Sequence, residues 1–125
     1  MKIRRIKGNV NSGKTTKLMM IADTSISNGK SVLFISNEVK RKHADDSAIR
    51  LGLTHFKYVT YDYVELPIEM YIKTNKLSSY DVVVVDGMLE NSLIIETSKK
   101  VLDDNQTLVL SYQIPRNGYR HDRKK

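Results

Sequence analysis

The chain has 125 residues, 40% of them hydrophobic and 28% charged, with no cysteine and a formal net charge of +7. That length supports one core rather than two, and the absence of thiols excludes a disulfide framework, a thiolate metal site and a cysteine nucleophile. No apolar run reaches the ~18 residues of a membrane span, and the opening MKIRRIKGNV lacks the apolar segment of a signal peptide, so a cytoplasmic protein without membrane contact is expected.

The first predicted element is KIRRIKG, residues 2–8. Its apolar residues are Ile3 and Ile6 alone, against Lys2, Arg4, Arg5 and Lys7. Charge of this kind suits an edge strand, where it discourages further pairing. The next stretch, GNVNSGKTT (residues 8–16), fits the pattern G-x-x-x-x-G-K-[ST] through Gly8, Gly13, Lys14 and Thr15. In such a loop the glycines let the backbone of Asn9, Val10, Asn11 and Ser12 turn its amides onto the phosphates of a nucleotide, and the following helix adds its positive N-terminal end. Lys14 would neutralise phosphate charge, Thr15 would complete a Mg²⁺ shell, and Thr16 would reach the α-phosphate side.

Beyond the loop, helical patterns at 14–28, 38–51, 66–77 and 89–103 alternate with strand patterns. The strand patterns are SVLFIS (31–36), FKYVT (56–60), DVVVVD (81–86) and TLVLSY (107–112). Gly29 and Gly52 stand where helix C-terminal caps belong. The valine run of DVVVVD does not alternate, as befits a strand covered on both faces of a parallel sheet. Alternating strands and helices imply right-handed crossovers and an α/β layered fold. A minimal core over 1–115 and a basic tail over 116–125 are expected; the tail carries Arg116, Arg120, Arg123, Lys124 and Lys125. The positive charge is concentrated at the two ends, a distribution that marks contact with nucleic acid or marks solvated basic termini.

Three further residues suit chemistry at the phosphate loop. Asp86 closes DVVVVD at the strand end where open α/β sheets bind ligands, and would hold the metal's water shell. Glu38 falls just past SVLFIS on the same rim, positioned to act on an attacking water; in the alternative, Ser36 or Asn37 caps the next helix and Glu38 only complements its dipole. Gln113, after TLVLSY, either senses the γ-phosphate or is an ordinary polar residue before Pro115. His43, His55 and His121 are widely spaced and without ligand-like companions. The tyrosines of FKYVTYDYVE have the chemistry to stack on bases or to cover the sheet edge.

Taken together, GNVNSGKTTKLMMIADTSISNGKSVLFISNE, DVVVVDG and TLVLSYQIPR resemble, in order, the marks of the RecA-like ATPase core, and within it the DnaB-type replicative helicases, phage versions included. The resemblance covers residues 3–116. It implies a three-layer P-loop NTPase fold with a five-stranded, mainly parallel sheet in the order first, fifth, fourth, second, third, which leaves the phosphate-loop strand near one edge. It further implies ATP as the nucleotide, Lys14 and Thr15 on phosphates and Mg²⁺, Asp86 on the metal, Glu38 on the water and Gln113 as γ-phosphate sensor. Segments 87–91 and 116–125 occupy positions that face DNA in that family, which makes single-stranded DNA the expected partner. A homo-oligomer, or docking on a larger helicase or recombinase, is also expected.

The sequence ends before the further strands and cationic fingers of the family's motors and has no N-terminal primase-binding domain, so slow hydrolysis rather than processive unwinding is expected. GNVNSGKTTKLM is also similar to the opening of thymidine kinases, but Gly87 follows Asp86 where those enzymes place an acid, and no zinc-binding cysteine is present. A nucleotide switch that binds without turnover is the remaining alternative.

Overall fold

The computed structural model of the chain describes residues 1–8, 13–87 and 91–113. Five strands form one sheet in which every pairing is parallel: β1 (Lys2–Gly8), β2 (Val32–Ser36), β3 (Thr60–Tyr63), β4 (Val82–Asp86) and β5 (Thr107–Gln113). The order across the sheet is β1-β5-β4-β2-β3, so the strand that feeds the phosphate loop lies at one edge, as its charged sequence requires. Helices α1 (Lys14–Ser27), α2 (Arg41–Leu51), α3 (Ile68–Thr74) and α4 (Asn91–Val101) connect the strands.

The central strands are buried at every position, and the period of two divides their side chains between two cores. Val32, Phe34, Val82, Val84 and Val109 meet Leu18, Met19 and Ala22 of α1 and Ala44 and Ala48 of α2. Leu33, Ile35, Val83, Val85, Leu108 and Leu110 meet Ile68 and Ile72 of α3 and Ile94 of α4 on the opposite face. The result is three layers, helix, sheet and helix. Among the described residues no helix is long and apolar enough to cross a membrane.

The third strand begins later than the sequence pattern suggests. FKYVT was expected to pair over 56–60; instead Phe56–Tyr58 form a 3-10 turn and β3 starts at Thr60. The cause lies upstream. Gly52 ends α2 in the left-handed region at φ 72°, and its neighbour Leu53 returns its N–H to Ala48. The chain then turns again, with the His55 N–H donated to Asp23 Oδ1 at 2.7 Å. The guanidinium of Arg41 donates to the Val59 and Lys57 carbonyls at 2.8 and 3.2 Å, which pins this turn to the start of α2. The turn drops Phe56 into the core edge-on to Phe34, while Tyr61 stacks on the same ring at 5.0 Å. Tyr61 thereby closes the β3 side of the core. The helices over 38–51 and 66–77 are likewise shorter than their patterns, running Arg41–Leu51 and Ile68–Thr74, and α4 ends at Val101 rather than at 103.

Candidate functional site

β1 ends at Gly8, and α1 opens at Lys14 after Gly13, which holds a left-handed conformation at φ 77°. Glycine adopts that geometry without the penalty of a side chain. Asn9, Val10, Asn11 and Ser12 lie outside the described residues, but the strand before them and the helix after them are those a phosphate loop needs. Because β1, β4, β2 and β5 run parallel, Gly8, Asp86, Ser36 and Gln113 all fall at the same end of the sheet.

Five side chains, from α1, β4, β2 and the turn after β2, meet there. Asp86, fully buried at the end of β4, receives the Thr15 hydroxyl, which stands 3.2 Å from both carboxylate oxygens. The Ser36 hydroxyl donates to Asp86 Oδ2, also at 3.2 Å, from the end of the neighbouring strand β2. Lys14 Nζ reaches 3.5 Å from Glu38 Oε2 and 3.5 Å from the Gly87 carbonyl. Burial holds the Asp86 carboxyl above the ordinary carboxylate range and the charge of Glu38 adds to the effect, while Thr15, Lys14 and Ser36 oppose it.

Glu38 keeps its place through the turn after β2 rather than through a helix. The Ser36 oxygen accepts the N–H groups of Glu38 and Val39 at 3.1 and 3.0 Å. α2 begins only at Arg41, with Lys40 at its N-cap and no side-chain cap, so Glu38 does not serve a helix dipole. Ser36 thus links Asp86 to the backbone of Glu38, a role that sequence reading missed because it weighed this serine only as a helix cap. For Gly87 the sequence shows only the acid it replaces and its place at the head of the 87–91 segment; its packing against Asn37 was missed. A Cβ there would lie 2.2 Å from Asn37 Oδ1, so any larger residue would have to displace the Asn37 side chain.

The remaining predicted residues divide between those the structure places and those it does not describe. Thr16 follows on α1 and makes no hydrogen bond to this cluster among the described residues. Gln113 closes β5 in register with Gly8, which puts its backbone beside the start of the loop; its side chain lies outside the described residues. Arg116, Arg120, Arg123, Lys124 and Lys125 lie outside them as well, as do residues 88–90.

The donor set suits a magnesium ion. Thr15 and Asp86 offer only hard oxygen atoms, and the buried carboxylate, burdened by its own desolvation and by Glu38, is where a cation relieves most strain. Among the described residues there is no group of three or more His, Cys, Asp or Glu side chains to cage a metal. Mg²⁺ needs none when waters and phosphate oxygens complete its shell.

By sequence, no protein-family model and no curated protein matches the chain. Compared by structure, it is similar to the flagellar accessory protein FlaH from Methanocaldococcus jannaschii, with a TM-score of 0.62 and 12% identity. The match covers 92% of this chain and 63% of that one, so the chain spans less than two thirds of its structural neighbour. The fold is a RecA-like, three-layer P-loop NTPase fold. Its sheet order is the one the sequence resemblance implies, and the Lys14, Thr15, Asp86 and Glu38 cluster lies at the carboxyl ends of the strands, where open α/β sheets bind ligands.

Proposed function

We propose that the protein binds ATP with Mg²⁺ at the loop between β1 and α1 and hydrolyses it slowly, in the cytoplasm, in concert with single-stranded DNA. The observation that carries this reading is the equidistant approach of the Thr15 hydroxyl to both Asp86 oxygens, since these are the two groups that would hold Mg²⁺. Mg²⁺, when bound, neutralises phosphate charge. Phosphate entering the loop draws the Lys14 ammonium away from Glu38, and the released carboxylate is then free to accept a proton from a water on the same rim. Thr15 and the first turn of α1 orient the phosphates, and Ser36 holds the Glu38 backbone in place.

Slow turnover follows from the charges present. A cationic finger multiplies phosphoryl-transfer rates by about 10³–10⁵ where one is used, and among the described residues Lys14 is the single cation in the cluster. Contact with DNA is assigned to Arg116, Arg120, Arg123, Lys124 and Lys125 on the strength of their charge. Self-association, or docking on a larger helicase or recombinase, would supply the finger that the cluster lacks.

The test is phosphate release from ATP with Mg²⁺, with and without single-stranded DNA, beside Lys14→Ala and Glu38→Gln. Turnover abolished by both substitutions, and raised by DNA in the parent, is the expected result. ATP binding that Lys14→Ala removes, with no turnover by any of the proteins, overturns the hydrolytic reading and leaves a nucleotide switch.

A further inference from the structure

Among the described residues β1 is the outermost strand on its side of the sheet, bonded to β5 alone. Lys2, Arg4, Arg5 and Lys7 are all exposed along it. Ile6 packs into the core under α1 and Ile3 into the opposite core. The two-residue period therefore sets Lys2 and Arg4 on one face and Arg5 and Lys7 on the other, with same-face neighbours about 6.7 Å apart. The cations straddle the free edge at roughly the spacing of successive phosphates in an extended strand.

Among the described residues none of the four has an ion pair or a side-chain hydrogen bond. The nearby acids Asp103 and Asp104 sit in the turn before β5, where Asp104 already takes the amino terminus at 3.4 Å. Blocking an edge against pairing needs only a charge or two of either sign. Four of one sign, none neutralised, repel one another, and a polyanion relieves that repulsion.

A second feature adjoins the first. On the α1 face, Arg4 borders a cleft of about 350 Å³ between α1 and the amino ends of β4 and β5. Lys30 also lines it, with Thr24, Asn28, Val82 and Val109, and no carboxylate lines it. A half-apolar slot with hydroxyl and amide groups suits an unstacked base, which a single strand offers and a duplex does not.

We infer that the β1 edge binds single-stranded nucleic acid, with phosphates along Lys2, Arg4, Arg5 and Lys7 and a base turned into the cleft beside Arg4. This surface is distinct from the 116–125 segment and does not depend on nucleotide hydrolysis.

The test is fluorescence anisotropy of a labelled oligothymidylate titrated with the full chain over a range of salt, beside Arg4→Ser/Arg5→Ser and Arg116→Ser/Arg120→Ser/Arg123→Ser. Unlabelled oligouridylate and a duplex serve as competitors. The β1 variant should bind about tenfold or more weakly, with a log–log salt slope shallower by about 1.4, two phosphate contacts at about 0.7 each. Its melting temperature should match the parent's, because both side chains are exposed. The triple variant should retain the contribution of β1, and either single strand should outcompete the duplex. A β1 variant that binds like the parent, a duplex that competes as well as the single strands, or a parent that does not bind even at low salt overturns the inference. Loss of ATP turnover in a separate assay would leave the binding result standing.

Discussion

The Lys14 ammonium lies 3.5 Å from the Glu38 carboxylate, so the group that would bind phosphate and the group that would act on water are paired with each other. Each holds the other away from its proposed task. An ion pair open to solvent on one side contributes little, about 0.2–1 kcal/mol, which the binding of phosphate with Mg²⁺ would outweigh. The pair therefore tunes affinity without blocking the site.

Glu38→Gln separates the two roles. Losing the anion frees Lys14, and nucleotide affinity should rise about two- to fivefold. Turnover should fall by about 10²–10⁴, the range that a positioned general base supplies. Binding measured calorimetrically and phosphate release measured on the same preparation check both halves. A Gln variant that binds more weakly and turns over normally would show Glu38 to be a scaffold for Lys14.

Asp86 makes a prediction about pH. Burial raises its carboxyl above the ordinary value of 3.8. Between 3.8 and the raised value the folded chain holds a proton that the unfolded chain has released, so stability from this group declines as pH rises and is lost above the raised value. Asp86→Asn removes that loss. The nucleotide-free variant should melt higher than the parent near neutrality, with a gap that narrows as pH falls towards 3.8. The same substitution should weaken Mg²⁺-dependent nucleotide binding about 10–100-fold. Thermal melts across pH, with and without Mg²⁺ and nucleotide, read both effects.

Much of the fold was legible because its patterns are local. DVVVVD suits a strand buried on both faces and KIRRIKG a strand at or near an edge, and the order β1-β5-β4-β2-β3 agrees with both. FKYVT was misread because its composition favours a strand, whereas the deciding contacts come from far along the chain. Arg41 takes its carbonyls and Asp23 holds the turn before it. At the site, the loop, Asp86 and Glu38 announce themselves by spacing. Ser36 and Gly87 do not, because their importance arises only where β2 and β4 lie side by side.

Gly87→Ala tests how tightly that rim is closed. The new methyl would sit 2.2 Å from Asn37 Oδ1 and 2.8 Å from its Cγ. Relief requires Asn37 to move, or β2 and β4 to part where Asn37 N–H bonds the Asp86 carbonyl at 3.2 Å. Overpacking of this kind costs about 1–3 kcal/mol. Asn37→Ala removes the obstructing atoms, so the double variant should recover most of the loss. Chemical denaturation of the four proteins gives the coupling, expected at about 1 kcal/mol or more. Additive losses would show the obstruction to lie elsewhere.

Ser36→Ala tests whether the Glu38 turn positions the reacting group. The substitution removes the oxygen that accepts the Glu38 and Val39 amides, and the hydroxyl that donates to Asp86. Two part-buried donors lose their acceptor, and stability should fall by about 1–2 kcal/mol. A merely structural serine would cost that and no more. If Ser36 sets where Glu38 stands, kcat should also fall about tenfold or more, because small misplacements of a reacting group are costly. Nucleotide affinity should stay within the few-fold that the Lys14–Glu38 pair controls, since the proposed phosphate contacts of Lys14 and Thr15 would be made from α1. A kcat loss at unchanged affinity, measured well below the melting temperature, assigns Ser36 a positioning role; an unchanged kcat confines it to the fold.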